Sequence, residues 1–109
     1  ITRWMERSDP PTAFFVADGN WLAPVKAALD RLGKRVPNDV TLLSYDDVLE
    51  SQGFEPPVTV IRQPLNTAAH RLYEVMLDYL EDRPSKQLQT RIPPDLVVRE
   101  SSCPPGHSE

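Results

Sequence analysis

The sequence predicts an α/β fold, a mainly parallel sheet flanked by helices, and three observations carry that expectation. Short apolar runs of strand length recur at 13–17, 40–45 and 58–61. Stretches with apolar residues at i, i+3/i+4 spacing lie at 21–32 and 66–81. Twelve prolines punctuate the borders between them. Strands alternating with helices read as parallel strands joined by crossovers.

In order, residues 1–8 read as the end of a helix, with Trp4 and Met5 apolar, closed by Asp9-Pro10-Pro11. The run Ala13-Phe14-Phe15-Val16-Ala17 has no polar alternation, which predicts a strand buried on both faces. Leu22, Val25, Ala28, Leu29 and Leu32 form a helical stripe with Gly33 as its stop. Pro24 lacks an amide donor, so regular helix is expected to begin only near Pro24. Val40 to Tyr45 predicts a second buried strand ending at Asp46-Asp47. A loop with room for one helical turn covers 48–57, and the β-branched run Val58-Thr59-Val60-Ile61 predicts a third strand stopping at Gln63-Pro64. The clearest helix spans 66–81, with Asn66 as N-cap and Pro84 as its end. A short extended piece near 89–92 and a strand at 96–99 follow. Three or four strands with two covering helices leave part of the sheet without partners, as expected of a fragment or an obligate assembly.

The bulk composition excludes several classes. With 39% hydrophobic and 26% charged residues the chain is a folded sequence rather than a disordered one. A net charge of −4, with basic residues scattered, argues against direct DNA contact by this segment. No apolar run approaches the roughly 20 residues that span a bilayer, and no membrane partner is expected. The start, Ile1-Thr2-Arg3-Trp4-Met5-Glu6, has neither a signal peptide's apolar run nor an initiator methionine, so residues are expected upstream. The single Cys103 fits a reducing compartment and lies in a Ser/Pro/Gly-rich segment, 103–109, expected to be a flexible tail.

In an open parallel sheet, ligands bind beyond the carboxyl ends of the strands. Asp18 and Asp46 end the first two strands, and if these are neighbours both carboxylates reach one crevice. Such carboxylates accept hydrogen bonds from a polyol's hydroxyls, and Trp21 offers a flat apolar face to a sugar or base ring. The alternatives are that Asp18 and Asn20 cap the next helix, that Asp46 caps likewise, and that Trp21 belongs to a core or interface. No catalytic residue is assigned: the four glycines are isolated, so no phosphate loop or dinucleotide fingerprint exists, and Cys103 has only His107 nearby. Metal binding by Asp18, Asp46 and Asp47, or a phosphoryl-receiver use of Asp46-Asp47, lacks the further ligands and lysine in register. No metal and no cofactor are expected. The helix beginning near Trp21 carries more apolar residues than its own sheet can cover, and Phe54 sits between Gly53 and Glu55 in a polar loop with little core to reach.

Three stretches together resemble the C-terminal part of the LacI/GalR repressor family. They are Pro11-Thr12-Ala13-Phe14-Phe15-Val16-Ala17-Asp18 continuing to Gly33-Lys34-Arg35-Val36-Pro37-Asn38-Asp39-Val40, then Leu43-Ser44-Tyr45-Asp46-Asp47, then Pro57-Val58-Thr59-Val60-Ile61-Arg62-Gln63-Pro64 followed at a helix's distance by Pro94-Asp95-Leu96-Val97-Val98-Arg99-Glu100-Ser101. The resemblance implies a two-lobed, periplasmic-binding-protein-like core that closes on an effector, usually a sugar or nucleobase. Residues 1–102 would form its C-terminal portion, with the helix at 66–81 crossing to the other lobe and Gln63-Pro64 as hinge. It implies effector contact by Asp46, and DNA binding only through an absent helix-turn-helix. It implies a cytoplasmic homodimer pairing through Trp21, Leu22, Val25 and Phe54, although Leu22 and Val25 serve equally well as core. Asp18-Gly19 stands where the family carries Asn-Asp, and Pro24 replaces a small residue. The implied function is effector sensing for transcription, not enzymatic catalysis; the alternative is a periplasmic sugar-binding protein of a transporter.

Overall fold

The computed structural model describes residues 1–83 and 89–102. The helix end expected at Pro84, the tail 103–109, Cys103 and His107 lie outside the described residues. The elements run α1 (Thr2–Met5), β1 (Ala13–Val16), a 3-10 turn (Gly19–Trp21), α2 (Leu22–Arg31), β2 (Thr41–Tyr45), α3 (Leu49–Gly53), β3 (Thr59–Arg62), α4 (Leu65–Leu80) and β4 (Asp95–Val97). The sheet order is β1-β2-β3-β4, and β1/β2 and β2/β3 pair in parallel. Phe14 lies opposite Leu42, and Ser44 opposite both Val16 and Val60.

The described residues divide into two compact units, one made of 1–62 and 96–102, the other of 63–83 and 89–95. In the first, Phe14, Val16, Leu22, Leu29, Val40, Leu42, Val58 and Val60 form the core. The leucines at 22, 29 and 42 are fully buried, each contributing about 1.5–3 kcal/mol of transfer free energy. Ile1, Met5 of α1, Val25 and Phe54 are partly buried and pack against this core. The Trp4 ring stacks on Phe14 with centroids 6.1 Å apart and planes 7° from parallel.

Local chemistry explains the borders, and several expectations need correction. β1 is buried on one face only: Phe14 and Val16 are covered, whereas Ala13 and Phe15 are exposed. α2 begins at Leu22, two residues before Pro24, because a proline in the first turn forfeits only an amide that has no intrahelical partner. Its end is the Schellman closure that Gly33 permits: Gly33 sits at φ 65, its N–H donates to the Asp30 carbonyl at 3.0 Å, and the Lys34 N–H donates to that of Leu29 at 3.0 Å. The loop after β2 contains α3. β3 starts at Thr59 and takes in Arg62. Residues 89–92 form no strand, and the last strand is shorter than expected.

In the second unit, α4 is entered through Pro64 at the N-cap position without a side-chain cap bond, so Asn66 lies inside the first turn rather than capping it. Its apolar stripe (Leu65, Leu72, Met76, Tyr79 and Leu80) is exposed among the described residues.

Candidate functional site

The parallel pairing of β1 and β2 makes their carboxyl ends neighbours, and the segments beyond them converge. Gly19 is buried there, and a Cβ on it would meet Val48 Cγ1 at 2.7 Å and the Tyr45 carbonyl oxygen at 3.6 Å. Only glycine allows the β1 loop to lie this close to the β2 loop.

Asp18 takes the capping role that the sequence left open. Its Oδ1 accepts from the Asn20 N–H and from Asn20 Nδ2, each at 2.9 Å, at the head of the 3-10 turn. Trp21, at the end of that turn, is 64% exposed, a flat apolar surface beside the strand ends. Asp46 follows β2 directly, half-buried, with a left-handed backbone (φ 71) and its N–H donating to the Ile61 carbonyl of β3 at 2.9 Å.

Asp47 comes next in the chain. Its side chain is only 5% exposed, and it is surrounded by donors. Arg99 Nη2 reaches Oδ1 at 2.8 Å and Oδ2 at 2.9 Å. Arg62 contributes Nε at 2.9 Å and Nη2 at 2.5 Å, both to Oδ2. The Ser51 hydroxyl lies 2.8 Å from Oδ1 and 2.6 Å from the Val48 carbonyl, sharing one proton between them. Burial pushes the Asp47 carboxyl up, but the hydrogen bonds from Arg62, Arg99 and Ser51, with the Arg99 charge, outweigh it and leave the group below its ordinary range. Arg99 is itself anchored, its Nη1 donating to the Val58 carbonyl at 2.8 Å and its N–H to Thr59 Oγ1 at 2.8 Å. An acid held by two guanidiniums is poorly suited to accept a phosphoryl group or to ligate a metal. Among the described residues no group of three or more His, Cys, Asp or Glu side chains is arranged to hold a metal ion.

Two functional residues escaped sequence reasoning. Arg62 closes β3 among the strand ends, 15 residues from Asp47, and Arg99 reaches the same place from 52 residues away; nothing local in the sequence pointed to either. Of the expected interface residues, Leu22 is corrected to core, since it has no exposed surface. Phe54 does reach core: it is half-buried and packs on the main cluster, as does Val25. Gln63 and Pro64 open the second unit. A depression of about 660 Å³ near β1, with Trp4, Arg7, Pro10 and Phe15 among its walls, is not lined by Asp18, Trp21 or Asp46.

A family described as a periplasmic binding protein-like domain matches residues 1–102. The chain belongs to this family. Within it, the chain is similar to LacI-type regulators. It is 30% identical over 101 residues to an HTH-type transcriptional repressor, PurR, of Vibrio vulnificus, covering 93% of this chain and 29% of the repressor. The dimeric Lac repressor matches with TM-score 0.78 and 28% identity over 88% of this chain and 35% of that one. A complex of the transcriptional regulator CelR with cellobiose matches with TM-score 0.77 and 27% identity over 84% of this chain and 28% of that one. The chain therefore corresponds to a portion of the effector-binding core of LacI-type regulators and spans less than a third of the repressor's length. These relatives are transcriptional regulators rather than enzymes or transporter components. Among the described residues no helix is long and apolar enough to cross a membrane.

Proposed function

We propose that this chain is the C-terminal part of the sensor core of a cytoplasmic, LacI-type transcription regulator, which binds a sugar at the strand ends. The observation that carries the reading is Asp46: a half-buried carboxylate in a left-handed backbone at the end of the central strand, where ligands of open parallel sheets bind. A carboxylate there accepts paired sugar hydroxyls, and the exposed Trp21 face packs on the ring, with Asp18 at the rim. The cellobiose bound by the similar regulator supports a sugar as the ligand class.

Ligand affinity that differs between two arrangements of the core shifts their populations and so the DNA affinity of residues outside this chain. Gln63 and Pro64 serve as the hinge in this reading, and residues 65–80 as the helix crossing to the other lobe. The acidic chain itself makes no specific DNA contact, catalyses no reaction and uses no cofactor. A homodimer pairs through Trp21, Val25 and Phe54, in keeping with the dimeric state of the similar Lac repressor. A transporter's solute-binding protein shares the architecture, and the similarity to repressors favours the regulator.

Calorimetry with cellobiose tests the sugar site. Asp46→Ala is expected to weaken binding by about 1.5–3 kcal/mol, the worth of a hydrogen bond to a charged group; unchanged affinity overturns it. Sedimentation of the parent and of Phe54→Asp tests the dimer, and equal association constants refute the interface.

A further inference from the structure

Two consecutive carboxylates behave oppositely. Asp46 is half-buried at the strand ends, whereas Asp47 is dry and held by two guanidiniums and a hydroxyl. A buried ion pair is weak evidence of net stabilisation, because desolvation offsets most of the attraction. What such a cluster supplies is geometry: five donor contacts fix one carboxylate plane, and with it the peptide that joins residues 46 and 47.

The backbone of Asp46 requires that. A non-glycine residue at φ 71 stores of order 1–3 kcal/mol and persists only where its surroundings over-determine it. Behind Asp46 stands the ladder bond of its N–H to Ile61. Ahead stands Asp47, tied through Arg62 to the end of β3 and through Arg99 to its beginning at Val58 and Thr59. Both anchors thus sit on the strand that also receives the Asp46 N–H.

We propose that Asp47 is the positioning residue of the ligand loop: clamped between Arg62 and Arg99, it holds Asp46 in the left-handed conformation that sets its carboxylate at the strand ends. Asp47 touches no ligand, and its effect on binding passes through Asp46. The binding half of this inference rests on the Asp46 reading above, and the backbone half does not.

The test uses the full chain with Asp47→Asn, which keeps the shape of the side chain and removes its charge, and Arg62→Gln as a second variant that leaves Arg99 in place. Amide hydrogen exchange is read at Asp46 and, as reference, at Leu42. Loss of a clamp speeds exchange at Asp46 about tenfold beyond any change at Leu42, in both variants. A merely structural ion pair speeds both amides equally, and that result overturns the proposal.

Cellobiose binding is then measured in a double-mutant cycle. Asp47→Asn is expected to weaken it about tenfold in the parent and not at all in an Asp46→Ala background. Equal weakening in both backgrounds refutes action through Asp46. If Asp46→Ala leaves binding unchanged, or the parent binds no cellobiose, the sugar-site reading fails and the exchange result alone decides the clamp.

Discussion

Replacing Ser101 with alanine should be far more damaging than the loss of one hydroxyl suggests. Ser101 is fully buried and bonds both to Leu42 of β2 and to Thr59 at the start of β3. The Leu42 N–H donates to the Ser101 carbonyl at 3.1 Å, and the Ser101 N–H to the Pro57 carbonyl at 3.1 Å. Its Oγ donates to the Leu42 carbonyl at 2.5 Å and accepts the Thr59 N–H at 2.8 Å. Alanine keeps the two backbone bonds and orphans one carbonyl and one amide. Each unsatisfied buried group costs about 1–3 kcal/mol, and the space of a single oxygen is too small to admit a water in compensation. For the two groups the expected loss is about 2–6 kcal/mol. Urea titration followed by fluorescence reads this directly, since both tryptophans, Trp4 and Trp21, lie in the unit that holds Ser101; the midpoint falls while the slope is unchanged. Ser102→Ala is the control, because that half-buried hydroxyl meets, among the described residues, Thr59 Oγ1 at 2.7 Å and the Arg99 carbonyl at 3.5 Å. A Ser101→Ala loss below about 0.5 kcal/mol, or no larger than that of the control, would refute the reasoning.

Three further outcomes are expected. Leu22→Ala removes a side chain with no exposed surface and should lower unfolding stability by about 2–5 kcal/mol without creating a weaker dimer, as denaturation and sedimentation would show. Gly19→Ala must displace Val48, whose Cγ1 lies 2.7 Å from the added methyl; overpacking of about 1–3 kcal/mol and weaker cellobiose binding are expected, checked by thermal unfolding and calorimetry. The folded Asp47 carboxyl titrates below its ordinary range, so its contribution to stability is complete above the unfolded value near about 4 and is lost as pH falls through the folded one. Urea midpoints measured from pH 6 down to pH 2 should therefore decline less steeply in Asp47→Asn than in the parent.

How much could be read from the residues depended on how local the cause was. The apolar runs around Phe14, Leu42 and Val60 mark strands because burial and β-branching act within a few residues, and Gly33 stops α2 by its own φ. The one-sided burial of β1 was not legible, because Phe15 is as apolar as Phe14 and only tertiary cover distinguishes them. Asp46 could be placed from its position after β2. The company of Asp47 could not, because its partners Arg62 and Arg99 come from 15 and 52 residues away and neither position carries a local periodic signal. Leu22 and Phe54 illustrate the same limit: whether an apolar side chain serves core or partner depends on what folds over it.

The Ser101 stitch has a consequence for the order of events during synthesis. Leu42 and its pairing partner are separated by 59 residues, and the intervening chain includes the whole second unit, 63–95. During synthesis residues 1–62 are made before Ser101, so the backbone groups of Leu42 wait for this partner until the second unit has been made. Long loop closure of this kind slows folding and leaves strand edges open in the interval. A nascent chain halted before residue 101 has left the ribosome should be protease-sensitive over residues 1–62, and extension past residue 102 should protect it.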